Sequence, residues 1–93
     1  MNLKIIWTNQ FKKDYKRAIR RKKNIHLPDD IIRTLSRGKT LPEKYKDHVL
    51  SGKWIGYRGC HIQPDWLLVY YIENDILVLT ISRTGTHSDL FGK

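Results

Sequence analysis

The sequence predicts an α+β fold: an N-terminal strand and an αα-hairpin packed on a twisted, mostly antiparallel sheet of four to five strands, with a short C-terminal helical turn. Three observations carry this expectation. Residues 9 to 38 contain two stretches with apolar residues at helical spacing. Residues 53 to 83 contain β-type segments punctuated by glycines, Pro64 and an Asn-Asp turn. The chain has 93 residues, enough for one modest core, so 1–93 reads as a single domain.

Leu3 to Trp7 reads as the first strand, ending at Thr8 or Asn9, both good helix caps. A helix follows to about Lys23, with Phe11, Tyr15, Ala18 and Ile19 forming its apolar stripe. Pro28, Asp29 and Asp30 open a second helix, Ile31, Ile32 and Leu35 supply its buried side, and Gly38 ends it. Thr40 to Ser51 reads as a loop. Lys53 to Tyr57 and Arg58 to Ile62 read as short strands, and Pro64-Asp65 as a turn. Trp66 to Ile72 is apolar on both faces, the mark of a central strand. After a tight turn at Glu73-Asn74-Asp75, Ile76 to Arg83 makes the last strand, Gly85 breaks it, and Thr86 to Phe91 forms one turn of helix.

Charge is the informative part of the composition. Eighteen Lys and Arg against nine Asp and Glu give a formal net of +9. Residues 1 to 39 hold twelve basic and three acidic side chains, whereas residues 40 to 93 hold six of each. The excess therefore lies in the N-terminal part, on Lys12, Lys13, Lys16, Arg17, Arg20, Arg21 and Lys23 above all. Such a face suits a polyanion, most simply nucleic acid, and equally suits plain solvation. Like charges four apart, Lys12–Lys16 and Arg17–Arg21, weaken a helix slightly. No segment is long and apolar enough to span a bilayer, no signal peptide is visible, and the lone Cys60 cannot pair internally. The expectation is a cytoplasmic protein with no membrane partner.

The chemistry-bearing residues lie in the second half. His26 stands in the turn between the helices, where a surface or capping role is expected. His48, His61 and His87 fall in a loop, at a strand end and just past the last strand, the places where functional groups sit on a scaffold. With Arg83, Arg58, Asp65, Trp66 and Phe91 they make a candidate site. Metal-free RNA cleavage needs a base for the ribose 2′-OH, an acid for the departing 5′ oxygen and a cation for the phosphorane. Histidine suits both proton roles and arginine the third. Trp66, Tyr57 or Phe91 can stack on unpaired bases, while Trp54 and Tyr70 read as core. A metal site lacks a helical His pair, and no phosphate-binding glycine loop or nucleophile elbow occurs. Cys60 and His61, as neighbours in a strand, point to opposite faces and do not form a thiol–imidazole pair.

Tyr45-Lys-Asp-His48, Gly52-Lys-Trp-Ile-Gly-Tyr-Arg58, Cys60-His-Ile-Gln-Pro-Asp-Trp66 and Arg83-Thr-Gly-Thr-His-Ser-Asp-Leu-Phe-Gly92 together resemble the YafQ family of RelE-like toxins from bacterial toxin–antitoxin pairs. The resemblance implies a ribosome-dependent endoribonuclease that cuts mRNA in the ribosomal A site, uses no metal or other cofactor, and leaves a cyclic phosphate. It implies an active-site set of His48, His61, Asp65, Arg83, His87 and Phe91, with His87 as first candidate for general acid and Arg83 for phosphate contact. His48 or His61 would act as base or position the ribose and phosphate, and Asp65 would orient one of them. Trp66 belongs to the same stretch; with Arg58 and the basic helix it is expected to meet substrate or ribosome. The implied partners are the ribosome, mRNA and a small antitoxin of the DinJ or RelB type, with operator DNA bound only through the toxin–antitoxin complex. Two alternatives stand beside this reading. One is a non-enzymatic gyrase inhibitor of the ParE kind, which has no chemical need for the histidines; the other is a plain nucleic-acid-binding module, which would leave them dispersed.

Overall fold

The structure, a computed structural model, describes residues 2–92. Its elements run β1 (Lys4–Trp7), α1 (Asn9–Arg20), α2 (His26–Ser36), β2 (His48–Val49), β3 (Arg58–Gln63), β4 (Trp66–Glu73), β5 (Val78–Gly85) and α3 (His87–Phe91). Short 3-10 turns at Glu43–Tyr45 and Gly52–Trp54 flank β2. The strands form one sheet in the order β1-β5-β4-β3-β2, and only the β1–β5 pairing is parallel. The expected α+β fold, with its hairpin and mostly antiparallel sheet, is the one observed.

Thr8 caps α1 by accepting the Phe11 N–H at 3.0 Å. The helix ends at Arg20, short of Lys23, because Lys22 takes a left-handed conformation at φ 58°. Its N–H and that of Lys23 then close on the Ile19 and Ala18 carbonyls. Gly38, at φ 73°, closes α2 in the same way, as expected. That helix starts at His26, two residues before Pro28, with the His26 N–H donated to Asn24 Oδ1.

Alternation along the strands separates two apolar clusters. Leu68, Tyr70, Leu79, Ile81, Cys60 and Trp66 pack under Phe11, Ala18, Ile31, Ile32 and Leu35 of the two long helices. On the opposite face Leu67, Val69 and Leu90 form a smaller cluster with Leu50, Trp54, Tyr57 and Phe91.

Three expected boundaries are corrected. Lys53 to Tyr57 is not a strand: Gly52 and Gly56 have φ of 65° and 91°, which break extended backbone at both ends. Trp54 and Tyr57 instead stack edge-to-face at 5.2 Å over the smaller cluster. The loop from Thr40 to Ser51 contains β2, so His48 lies on a short edge strand. The last strand begins at Val78 because the turn runs through Leu77, itself left-handed at φ 55°, and it includes Gly85.

Candidate active site

Cross-strand partners share a face of a sheet, so the register assigns the histidines directly. His48 pairs with Gly59, Gly59 with Val69, and His61 with Leu67. All of these belong to the face away from α1 and α2. Cys60 and Ile62 alternate to the other face and are buried in the helix-covered core. Burial pushes the Cys60 thiol up to about 12, so it is no nucleophile.

On this open face a cleft of about 180 Å³ is lined by His48, His61, His87, Phe91, Leu50, Gly59, Leu67 and Val69. The His48 and His61 rings are 6.2 Å apart between centroids, His61 and His87 5.7 Å, and His87 and Phe91 6.2 Å. Residues far apart in sequence thus converge, whereas a plain binding module would leave them dispersed. Among the described residues no group of three or more His, Cys, Asp and Glu is arranged to hold a metal ion.

Each imidazole is held by Nδ1. His48 Nδ1 lies 2.7 Å from the Lys46 carbonyl and His61 Nδ1 lies 3.3 Å from the Pro64 carbonyl. A carbonyl only accepts, so Nδ1 carries the proton and Nε2 is the free nitrogen with a lone pair. His87 differs. Its Nδ1 sits 2.6 Å from Asp65 Oδ1, which also accepts the His87 backbone N–H at 2.9 Å. Those two bonds hold the Asp65 carboxyl below the usual carboxylate range, the backbone one contributing most. When protonated, His87 faces a carboxylate, and the other two rings face only a carbonyl dipole.

Arg83 reaches this face through a bulge. Tyr70 pairs with Ile81, but its neighbour Val69 pairs with Arg83, so Ser82 is the extra residue. Without it Arg83 would fall on the helix-covered face. Arg83 is not among the residues lining the cleft; its Nε donates to Asp14 Oδ2 at 2.8 Å, at the sheet edge beside α1.

The short helix α3 positions His87. Thr86 and Asp89 form a capping box, and Arg21 Nη1 donates to Asp89 Oδ2 at 2.8 Å. The Arg21 bond is the main reason the Asp89 carboxyl is held well below its ordinary range. Gly85 makes the approach possible, since a Cβ there would stand 2.9 Å from Asp89 Cβ.

The remaining expected site residues are placed elsewhere. Trp66 is 2 % exposed in the helix-covered core, with Lys23 Nζ 5.7 Å from its ring, and has no free face for a base. Arg58 pairs with Asp47 at 3.2 Å, and Asp47 also accepts from the Tyr70 hydroxyl; this cluster lies on the helix side and ties down the loop leading to His48. Arg17 and Arg21 are engaged with Asp14 and Asp89. Lys12, Lys13, Lys16 and Arg20 are exposed on α1. Three supporting acids, Asp14, Asp47 and Asp89, escaped notice in the sequence. Asp14 carried a signal as the sole acid between Asn9 and Lys23, and Asp89 another by its capping-box spacing from Thr86; Asp47 carried none.

Comparisons with known proteins bear on the whole chain. Residues 3–92 match the family model described as the bacterial toxin of type II toxin–antitoxin system, YafQ. The chain is 40% identical over 89 residues, 95% of each chain, to an mRNA interferase toxin YafQ of Escherichia coli (strain K12). The crystal structure of YafQ from E. coli strain BL21(DE3) superposes with a TM-score of 0.91 at 38% identity, covering 97% of this chain and 99% of that one. YafQ in the E. coli DinJ–YafQ toxin–antitoxin complex gives 0.90 at 39% identity, over 99% of this chain and 100% of that one.

Proposed function

This chain belongs to the YafQ family of bacterial type II toxins, and from that premise we propose that it is an endoribonuclease that cleaves mRNA in the A site of the ribosome. The observation that carries the reading is the convergence of three Nδ1-anchored imidazoles in one cleft, one of them backed by a carboxylate. That difference divides the labour. His48 or His61, with an available Nε2 lone pair, takes the proton of the ribose 2′-OH. The 2′ oxygen attacks the phosphorus, and His87 gives a proton to the departing 5′ oxygen while Asp65 holds the resulting ring in place. The products are a 2′,3′-cyclic phosphate and a free 5′-hydroxyl. Arg83 stabilises the phosphorane charge, and Phe91, beside His87, offers a stacking surface for a base.

No step in this scheme draws on a metal or other cofactor. The exposed Lys12, Lys13, Lys16 and Arg20 supply contacts to ribosomal RNA phosphates. A DinJ-type antitoxin is the proposed neutralising partner, with operator DNA bound only by the pair, and the cytoplasm the proposed place of action. Among the described residues no helix is long and apolar enough to cross a membrane.

The test is to map cleavage on a translated message, with and without ribosomes and with EDTA, for wild type and His87→Ala. Wild type should cut only with ribosomes present, EDTA should not matter, and the variant should fail. Cleavage by His87→Ala at the wild-type rate would sink the assignment.

A further inference from the structure

We infer that Asp14 is a positioning residue for this reaction: it clamps one edge of the Arg83 guanidinium so that the opposite edge is presented to the scissile phosphate. The inference rests on the reading that Arg83 contacts that phosphate.

Asp14 is a carboxylate 2 % exposed in the middle of the basic helix α1. Its burial has a topological cause. The parallel pairing of β1 with β5 stops at Trp7 opposite Ile81, so beyond that point the outer edge of β5 has no strand beside it. Thr8 Oγ1 donates to the Ser82 carbonyl at 2.8 Å, and Asp14 Oδ2 accepts the Thr84 N–H at 3.1 Å. Covering that edge satisfies the backbone, but a neutral acceptor would do the same.

The charge has another use. Arg83 meets Asp14 side-on, with Nε on Oδ2 at 2.8 Å and Nη2 on Oδ1 at 3.2 Å. A two-point contact of this kind fixes the plane of the guanidinium as well as its place. Nη1 makes no hydrogen bond among the described residues, and it belongs to the edge left for phosphate. Gln10 and Arg17 hold Oδ1 from the other side, at 3.1 and 3.2 Å, so the carboxylate is itself fixed. Arg17 also lies 3.7 Å from Asp89, whose carboxylate anchors the first turn of α3. One alternating chain of charges, Arg83–Asp14–Arg17–Asp89–Arg21, therefore ties Arg83 to the helix that begins with His87. A buried charge kept only for stability would be poorly chosen, since burying it costs more than burying an apolar group of similar size.

Asp14→Asn keeps the size and an acceptor for Thr84 while removing the charge. Single-turnover cleavage on programmed ribosomes is measured for wild type, Asp14→Asn, Arg83→Ala and the double variant, with thermal unfolding and antitoxin binding as checks of the fold. Asp14→Asn should lower the maximal rate roughly tenfold or more, with half-saturation changed by less than about threefold. In the Arg83→Ala background it should cost less than about twofold, because its effect passes through Arg83. An equal loss in both backgrounds, or none in wild type, overturns the inference. Full activity in Arg83→Ala overturns the reading of Arg83 and the inference with it; loss there with a fully active Asp14→Asn overturns the inference alone. Solvent exchange of the Arg83 Nε–H by NMR in the wild-type protein needs no variant. It should be slow, and fast exchange counts against the clamp.

Discussion

The two faces of the sheet are made by one alternation and finished in opposite ways. Toward α1 and α2, Cys60 and Ile62 of β3 and Trp66, Leu68 and Tyr70 of β4 are buried in one cluster with the apolar side chains of the two helices. Toward the other side, among the described residues, only the five-residue α3 and the segment from Leu50 to Tyr57 provide cover. That incomplete cover is what leaves a histidine cleft over an apolar floor. Stability belongs to the first face and, in the proposed reaction, chemistry to the second, the two joined at one edge by the Asp14–Asp89 charge network.

Changes on the open face should have the largest effects on activity. His87→Ala or Arg83→Ala is expected to lower single-turnover cleavage by about 10²- to 10⁴-fold, the range for loss of an acid or a charge-stabilising donor; thermal unfolding should be unchanged for His87→Ala and lowered for Arg83→Ala, which leaves the buried Asp14 carboxylate with Arg17 as its remaining cation. On the covered face, Trp66→Ala should cost about 3–5 kcal/mol of unfolding free energy, read by denaturant titration, without altering the salt dependence of binding to ribosomes. A persistent loss of ribosome affinity in the folded fraction would return Trp66 to the substrate surface.

At the junction, Gly85→Ala drives a Cβ against Asp89. It should cost about 1–3 kcal/mol by overpacking and slow cleavage by displacing His87. Replacing Lys12, Lys16 and Arg20 together by Ala should leave folding intact and flatten the log–log salt slope of ribosome binding by roughly two.

The smallest effect is an acid one. Asp65 and Asp89 have depressed carboxyl values in the fold, so their contribution is complete above the ordinary carboxylate range near ~4 and disappears as pH falls through their lower native values. The docking of α3, followed by NMR signals of Leu90 and Phe91, should loosen on acidification below that range, and Asp89→Asn should remove most of that pH dependence.

Much of this contrast is legible in the sequence. Period-two alternation in Cys60-His61-Ile62 assigns the faces, and Gly38 and the Thr86–Asp89 cap mark helix ends by their chemistry. The end of α1 is not legible, because Lys22 adopts a left-handed turn that sequence patterns assign to glycine. Lys53 to Tyr57 misleads because its aromatics pack edge-to-face onto one cluster and do not alternate across a strand. Trp66 misleads because a residue next to Asp65 inherits the site by proximity, while alternation turns its ring the other way. The Arg83–Asp14 contact spans 69 positions, and neither it nor the bulge at Ser82 has a local signal.

The division between the faces is tested most directly at two adjacent residues, His61 and Ile62, by measuring unfolding free energy and single-turnover cleavage for each alanine variant. His61→Ala should lose cleavage by at least about a hundredfold while its stability stays within about 0.5 kcal/mol of wild type. Ile62→Ala should lose about 2–5 kcal/mol while its folded fraction cleaves at nearly the wild-type rate. A fully active His61→Ala, or an Ile62→Ala that is as stable as wild type and inactive, would contradict the account.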